Sequence, residues 1–184
     1  MRSTAVLLVL AAGCSHESAT VTATPPPAEA PAQVGPAVDP TPGSTVVGLS
    51  LPTYPQGPRH AFAEDQGHVV VVDAWATWCR PCVQSLPLVQ GLQQRFAAQG
   101  LRTYAVNVDS GPGEISGFLT QVPLTLPILL DPDAEVLEGS LDLRLMPTTY
   151  LIDRSGKIRA RYEGFAGNVA RLQADVERLL AEPH

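Results

Sequence analysis

Cys79 and Cys82 stand two residues apart in the stretch WATWCRPCVQSLP, residues 75–87. A pair at this spacing can turn over between dithiol and disulfide, supply half of a metal site, or staple a loop. A structural zinc site needs four ligands, and the chain has no second CxxC and no HxxxH. The histidines, His16, His60, His68 and His184, are scattered without ligand spacing, so no metal is expected. Cys14 is the remaining cysteine, and an odd thiol in an exported protein needs a separate account.

The elements around the pair can be read from periodicity. Residues 68–76, HVVVVDAWA, are a continuous β-branched run, the pattern of a strand buried on both faces in a mostly parallel sheet. A helix is expected over 81–99, with Val83, Leu86, Val89, Leu92 and Phe96 on one face and Gly100 just past its end. The strand LRTYAVNVD, 101–109, follows, and strand, helix, strand in this order implies a right-handed parallel crossover. Further on, 113–122 reads as a helix, LPILLD as a short strand, and DAEVLEGS as one or two helical turns. TTYLID and IRARYEG flank the turn RSGK as a β-hairpin. A last helix over 168–181 carries Val169, Leu172, Val176, Leu179 and Leu180 on one stripe. Ahead of all this, 45–60 reads as a short strand or hairpin interrupted by Pro52, Pro55 and Pro58.

The chain has 184 residues, 45% of them hydrophobic, enough for one domain with a real core plus an extension. A formal net charge of -6 argues against a nucleic-acid partner. Residues 1–13 have the layout of a secretory signal: Arg2, an apolar run, then small residues before Cys14. The run is too short to span a bilayer. LAAGC resembles a bacterial lipobox, which implies lipidation of Cys14 and an exported, periplasm-facing lipoprotein; Ser15 does not decide between inner and outer membrane. Residues 14–44 are rich in Ala, Thr, Ser and Pro, including Pro25, Pro26, Pro27, Pro31, Pro36, Pro40 and Pro42. Such a segment buries too little surface to offset chain entropy and is expected to be an extended tether to a domain over 45–184.

The order of elements, with WCxxC after the first central strand and a proline before the penultimate one, resembles thioredoxin. VVVDAWATWCRPC, YAVNVD, LPILLDPDAEV and MPTTYLIDRSGKI are similar to the TlpA-like family of membrane-tethered thiol:disulfide oxidoreductases, relatives of the reductases of cytochrome c maturation. The resemblance implies an α/β thioredoxin-like fold, a central mixed sheet flanked by helices, with the family's insertion over 113–131. It implies no cofactor beyond a redox-active Cys79–Cys82 disulfide. Cys79, placed at a helix start, is then the nucleophile, its thiolate favoured by backbone N–H groups and the helix dipole. Cys82, one turn further in, is the resolving thiol. Arg80 adds positive charge beside the pair, and Pro81 fits a first helical turn. Pro147 matches the family's cis-proline, which brings the Met146 backbone beside the cysteines for a client strand to pair with. Trp78 matches the aromatic next to the nucleophile, and Gly164 with Phe165 a second substrate-facing loop. Trp75 is expected in the core, and Pro87 matches a helix-kinking proline.

Two departures stand out. Ser85 occupies the place of a Glu close to the dithiol in many relatives, and Asp73 stands where many have Asn. Asp73 is therefore the expected proton acceptor for Cys82, its own pKa raised by burial. The implied partners are a client protein carrying a disulfide or dithiol, a membrane thiol reductase as electron donor, and the membrane through a lipid anchor. A thiol peroxidase of the same fold is disfavoured, since no Thr and Pro precede a single attacking cysteine at Cys79. A copper-binding assembly factor is disfavoured by the two-residue spacing and by the lack of a His near Pro147.

Overall fold

The computed structural model describes residues 44–164 and 167–183. Cys14, the segment 1–13, residues 14–43 and Phe165 lie outside the described residues. The chain opens with a two-stranded antiparallel hairpin, β1 (Ser50–Pro52) and β2 (Arg59–Ala61). A five-stranded sheet then forms in the order β5-β4-β3-β6-β7. β3 (Val69–Trp75) is its centre, paired in parallel with β4 (Leu101–Asn107), which in turn pairs in parallel with β5 (Ile128–Leu130). On the other side β3 pairs antiparallel with β6 (Thr148–Ile152), and β6 with β7 (Ile158–Glu163). The sheet is therefore mixed, and the apolar run of β3 signals burial on both faces rather than parallel neighbours alone.

Every residue of β3 is buried, and Val69, Val70, Val71 and Val72 are each at most 1% exposed. Burial of a side chain of this size stabilises the fold by about 1.5–3 kcal/mol. α1 (Cys82–Phe96) and α4 (Asn168–Ala181) touch one another and the sheet. α2 (Ile115–Gln121) sets Phe118 against the fully buried Trp75, ring centroids 4.7 Å apart, and α3 (Glu135–Leu141) precedes β6. α1 runs into a 3-10 turn that stops at Gly100, whose φ of 96° is a left-handed conformation glycine adopts without strain.

Two expectations need correction. α1 starts at Cys82, not at Pro81, so Cys79 sits three residues ahead of the helix in a turn closed by Cys82 N–H donating to Cys79 O at 3.0 Å. Val83 does not belong to the buried face: it is 43% exposed, because the first turn of α1 borders a groove rather than the sheet. Pro87 sits inside α1 on its exposed side.

Candidate active site

The chain leaves the buried end of β3 at Trp75 and turns through Thr77 and Trp78 before reaching Cys79. Asp109, at the end of β4, holds this turn by accepting the Thr77 N–H at 3.0 and 3.2 Å, and Asn107 Nδ2 donates to the same carboxylate at 2.8 Å. Thr77 Oγ1 donates to Glu114 Oε2 at 3.1 Å, which fastens the turn to the segment before α2. Trp78 projects outward, 68% exposed.

Cys79 and Cys82 are joined as a disulfide. Cys79 retains 4% of its surface and Cys82 none, so both sulfurs are enclosed in this oxidised state and only Cys79 touches solvent. Arg80 and Pro81 are exposed. Arg80 makes no ion pair among the described residues.

The Met146–Pro147 peptide is cis. Gly164 N–H donates to Pro147 O at 2.8 Å, which brings the end of β7 alongside the proline. Gly164 has φ 72°, again a left-handed conformation. Met146 is half-buried and Leu145 before it is 43% exposed. Trp78, Val83, Glu114 and Phe118 border an open groove of about 640 Å³ on the other side of the disulfide.

Asp73 lies in the middle of the sheet with no exposed surface. Its Cα neighbours are Ala105 on β4 and Thr149 on β6. Thr149 Oγ1 donates to Asp73 Oδ1, while Asp73 Oδ2 is buried without a partner. Burial pushes the carboxyl up from its ordinary 3.8 to about 7, the Thr149 hydrogen bond acting in the opposite sense. Thr149 also lines a cavity of about 20 Å³ with Ser85 and Val89 of α1, Pro147, and Leu172 of α4. That places Asp73 on the α1/α4 side of the sheet, with room for one water close by. Ser85 is buried and its hydroxyl donates to Cys82 O at 3.3 Å.

The structure thus brings Cys79, Cys82, Pro147, Met146 and Gly164 to one pole of the sheet, with Asp73 beneath. Two residues escaped the sequence reading. Thr149 was legible only through the strand register, as the residue directly across from Asp73. Arg161 looked like an ordinary strand charge, yet it is 8% exposed.

A family model described as Redoxin matches residues 36–176. The chain belongs to the Redoxin family. Among members, it is 31% identical over 138 residues to thiol-disulfide oxidoreductase ResA of Geobacillus kaustophilus, covering 75% of this chain and 75% of that protein. ResA of Bacillus subtilis is 32% identical over 102 residues, 55% of this chain and 56% of that protein. Among solved structures, a protein described as thiol:disulfide interchange protein DsbE from Chlorobium tepidum superposes with a TM-score of 0.70 at 30% identity, covering 78% of this chain and 99% of that one. The Redoxin chain has the thioredoxin-like fold of these neighbours, a central mixed sheet flanked by helices.

Proposed function

We propose that this Redoxin-family chain is an exported thiol:disulfide oxidoreductase that reduces disulfides of envelope proteins through Cys79 and Cys82. The observation that carries the reading is a disulfide at the head of α1, whose Ser85 lines one cavity with cis-Pro147 and with Thr149, the hydrogen-bond partner of the buried Asp73. In the reduced protein the Cys79 thiolate attacks a client disulfide, forming a mixed disulfide and expelling one client thiolate. Asp73, with its proton affinity raised to the neutral range, takes the proton of Cys82, directly or through a water in the adjoining cavity. The Cys82 thiolate then attacks Cys79 Sγ, closes the internal disulfide and releases the second client thiolate, so two electrons pass to the client. A membrane thiol reductase restores the dithiol.

The client presents its disulfide on an extended segment that pairs with the Met146 backbone, while the groove bordered by Trp78, Val83 and Phe118 takes a neighbouring apolar side chain. Cys14 carries the lipid that holds the domain at the membrane, on the tether 14–44. The test is covalent trapping: Cys82→Ser accumulates mixed disulfides with envelope proteins and Cys79→Ser does not. Trapping by Cys79→Ser alone reverses the two roles, and trapping by neither overturns the reading.

A further inference from the structure

A nearly buried arginine in a strand is costly unless its donors are used. Arg161, on β7, is such a residue, and one of its guanidinium nitrogens reaches the segment that leads to cis-Pro147. Its Nη1 donates to the backbone carbonyl of Asp142 at 3.0 Å and to Asp142 Oδ2 at 3.2 Å. Its Nη2 pairs with Glu163 Oε1 at 3.1 Å, and its Nε is buried without a partner. Asp142 follows α3 in a left-handed conformation, φ 55°, one that Asp adopts more readily than most residues with a side chain. Met146 and Pro147 follow four and five residues later. The same segment is tied at two further points: Tyr150 OH donates to Leu141 O at 3.2 Å, and Thr148 Oγ1 to Leu145 O at 2.6 Å.

Tyr150 is the direct cross-strand partner of Arg161, and Glu163 that of Thr148. β6 and β7 are therefore both tied to the loop; Arg144 also pairs with the Asp142 carboxylate, while Arg161 alone among the described residues donates to the Asp142 carbonyl.

We propose that Arg161 is a positioning residue for the client-docking loop, 142–147, fixing where the Met146 backbone stands relative to Cys79. It touches neither sulfur nor client. Its effect falls on how well an extended polypeptide pairs with the loop, and a small disulfide that needs no such pairing is indifferent to it. The inference rests on the oxidoreductase reading above.

The experiment compares insulin with hydroxyethyl disulfide as substrates of the full chain, wild type, Arg161→Met and Arg161→Lys. For Arg161→Met the KM for insulin rises about tenfold with kcat within about twofold, since misplacing a binding strand weakens docking. Its rate with hydroxyethyl disulfide and the reduction potential of the Cys79/Cys82 pair stay at the wild-type values. Arg161→Lys keeps one donor for the Asp142 carbonyl and lies between the two; should Arg161→Met fail to fold, this variant alone carries the comparison. An unchanged insulin KM, or an equal loss with both disulfides, overturns the positioning role. Wild-type protein that reduces neither substrate overturns the oxidoreductase reading instead.

Discussion

Replacing Asp73 with Asn separates the carboxylate's chemistry from its place in the core. The unfolded chain releases the Asp73 proton near 3.8, the folded chain near 7. Between those values the folded state holds the extra proton, so stability falls as pH rises, by up to about 1.36 kcal/mol per pH unit. The contribution of the neutral carboxyl is fully present below pH 3.8 and gone above about 7, a difference of roughly 3 units or on the order of 4 kcal/mol. Asn cannot titrate. At low pH the variant and the wild type differ little, because a protonated Asp and an Asn both leave a polar atom at the unpartnered Oδ2 position.

Urea unfolding of the oxidised proteins at about pH 4.5 and about pH 8 reads the difference directly, since every other titrating group cancels between them. The expected result is a small stabilisation of Asp73→Asn at the lower pH, about 1 kcal/mol, and one several times larger at the higher. With Asp73 as the proposed proton acceptor for Cys82, the same substitution is expected to slow disulfide reduction by about 10²-fold and to remove its inflection near neutral pH. Stability curves that run parallel in pH would falsify the raised carboxyl. Full activity of the variant from about pH 6 to 9 refutes its role as base and leaves water as the acceptor.

Arg80, exposed next to the disulfide in sequence, is expected to favour the thiolate and so the reduced pair. The potential is expected above the about -270 mV of thioredoxin and below the about -120 mV of DsbA, and Arg80→Gly lowers it by about 10–20 mV on glutathione equilibration. No shift identifies Arg80 as a surface charge only. Cys14→Ala releases the protein from the membrane fraction or blocks its maturation; unchanged membrane association rules out the lipid anchor.

Most elements were legible because they rest on local patterns. The run of valines over 69–72 could only be a fully buried strand, and the apolar stripe of α4 matches its buried residues Leu172, Val176 and Leu179. Val83 shows where a periodic pattern stops being informative. A 3.6-residue repeat marks an apolar face but not what covers it, and here the first turn faces the open groove with Trp78. Cis-Pro147 was legible only through the family's MPTT pattern, and cis-Pro55 carried no local signal at all. Arg161 was missed because its partners, Asp142 and the loop beyond, are brought to it by the β6–β7 pairing.

The exchange of carboxylates near the dithiol needed both levels. The sequence puts serine at 85 and aspartate at 73, which suggests that the base has moved from the helix to the strand. In the structure the Ser85 hydroxyl donates to Cys82 O, and the cavity it lines holds about 20 Å³, room for about one water. Thr149, 76 residues from Asp73 in sequence, supplies the single hydrogen bond to that carboxylate among the described residues, which leave its second oxygen unpartnered. A second donor would stabilise the ionised form and draw the pKa back toward 3.8. On the proposed mechanism, burial with a single donor among the described residues is what fits Asp73 to act as a base at neutral pH, and the pairing of β3 with β6 sets Thr149 opposite it as that donor.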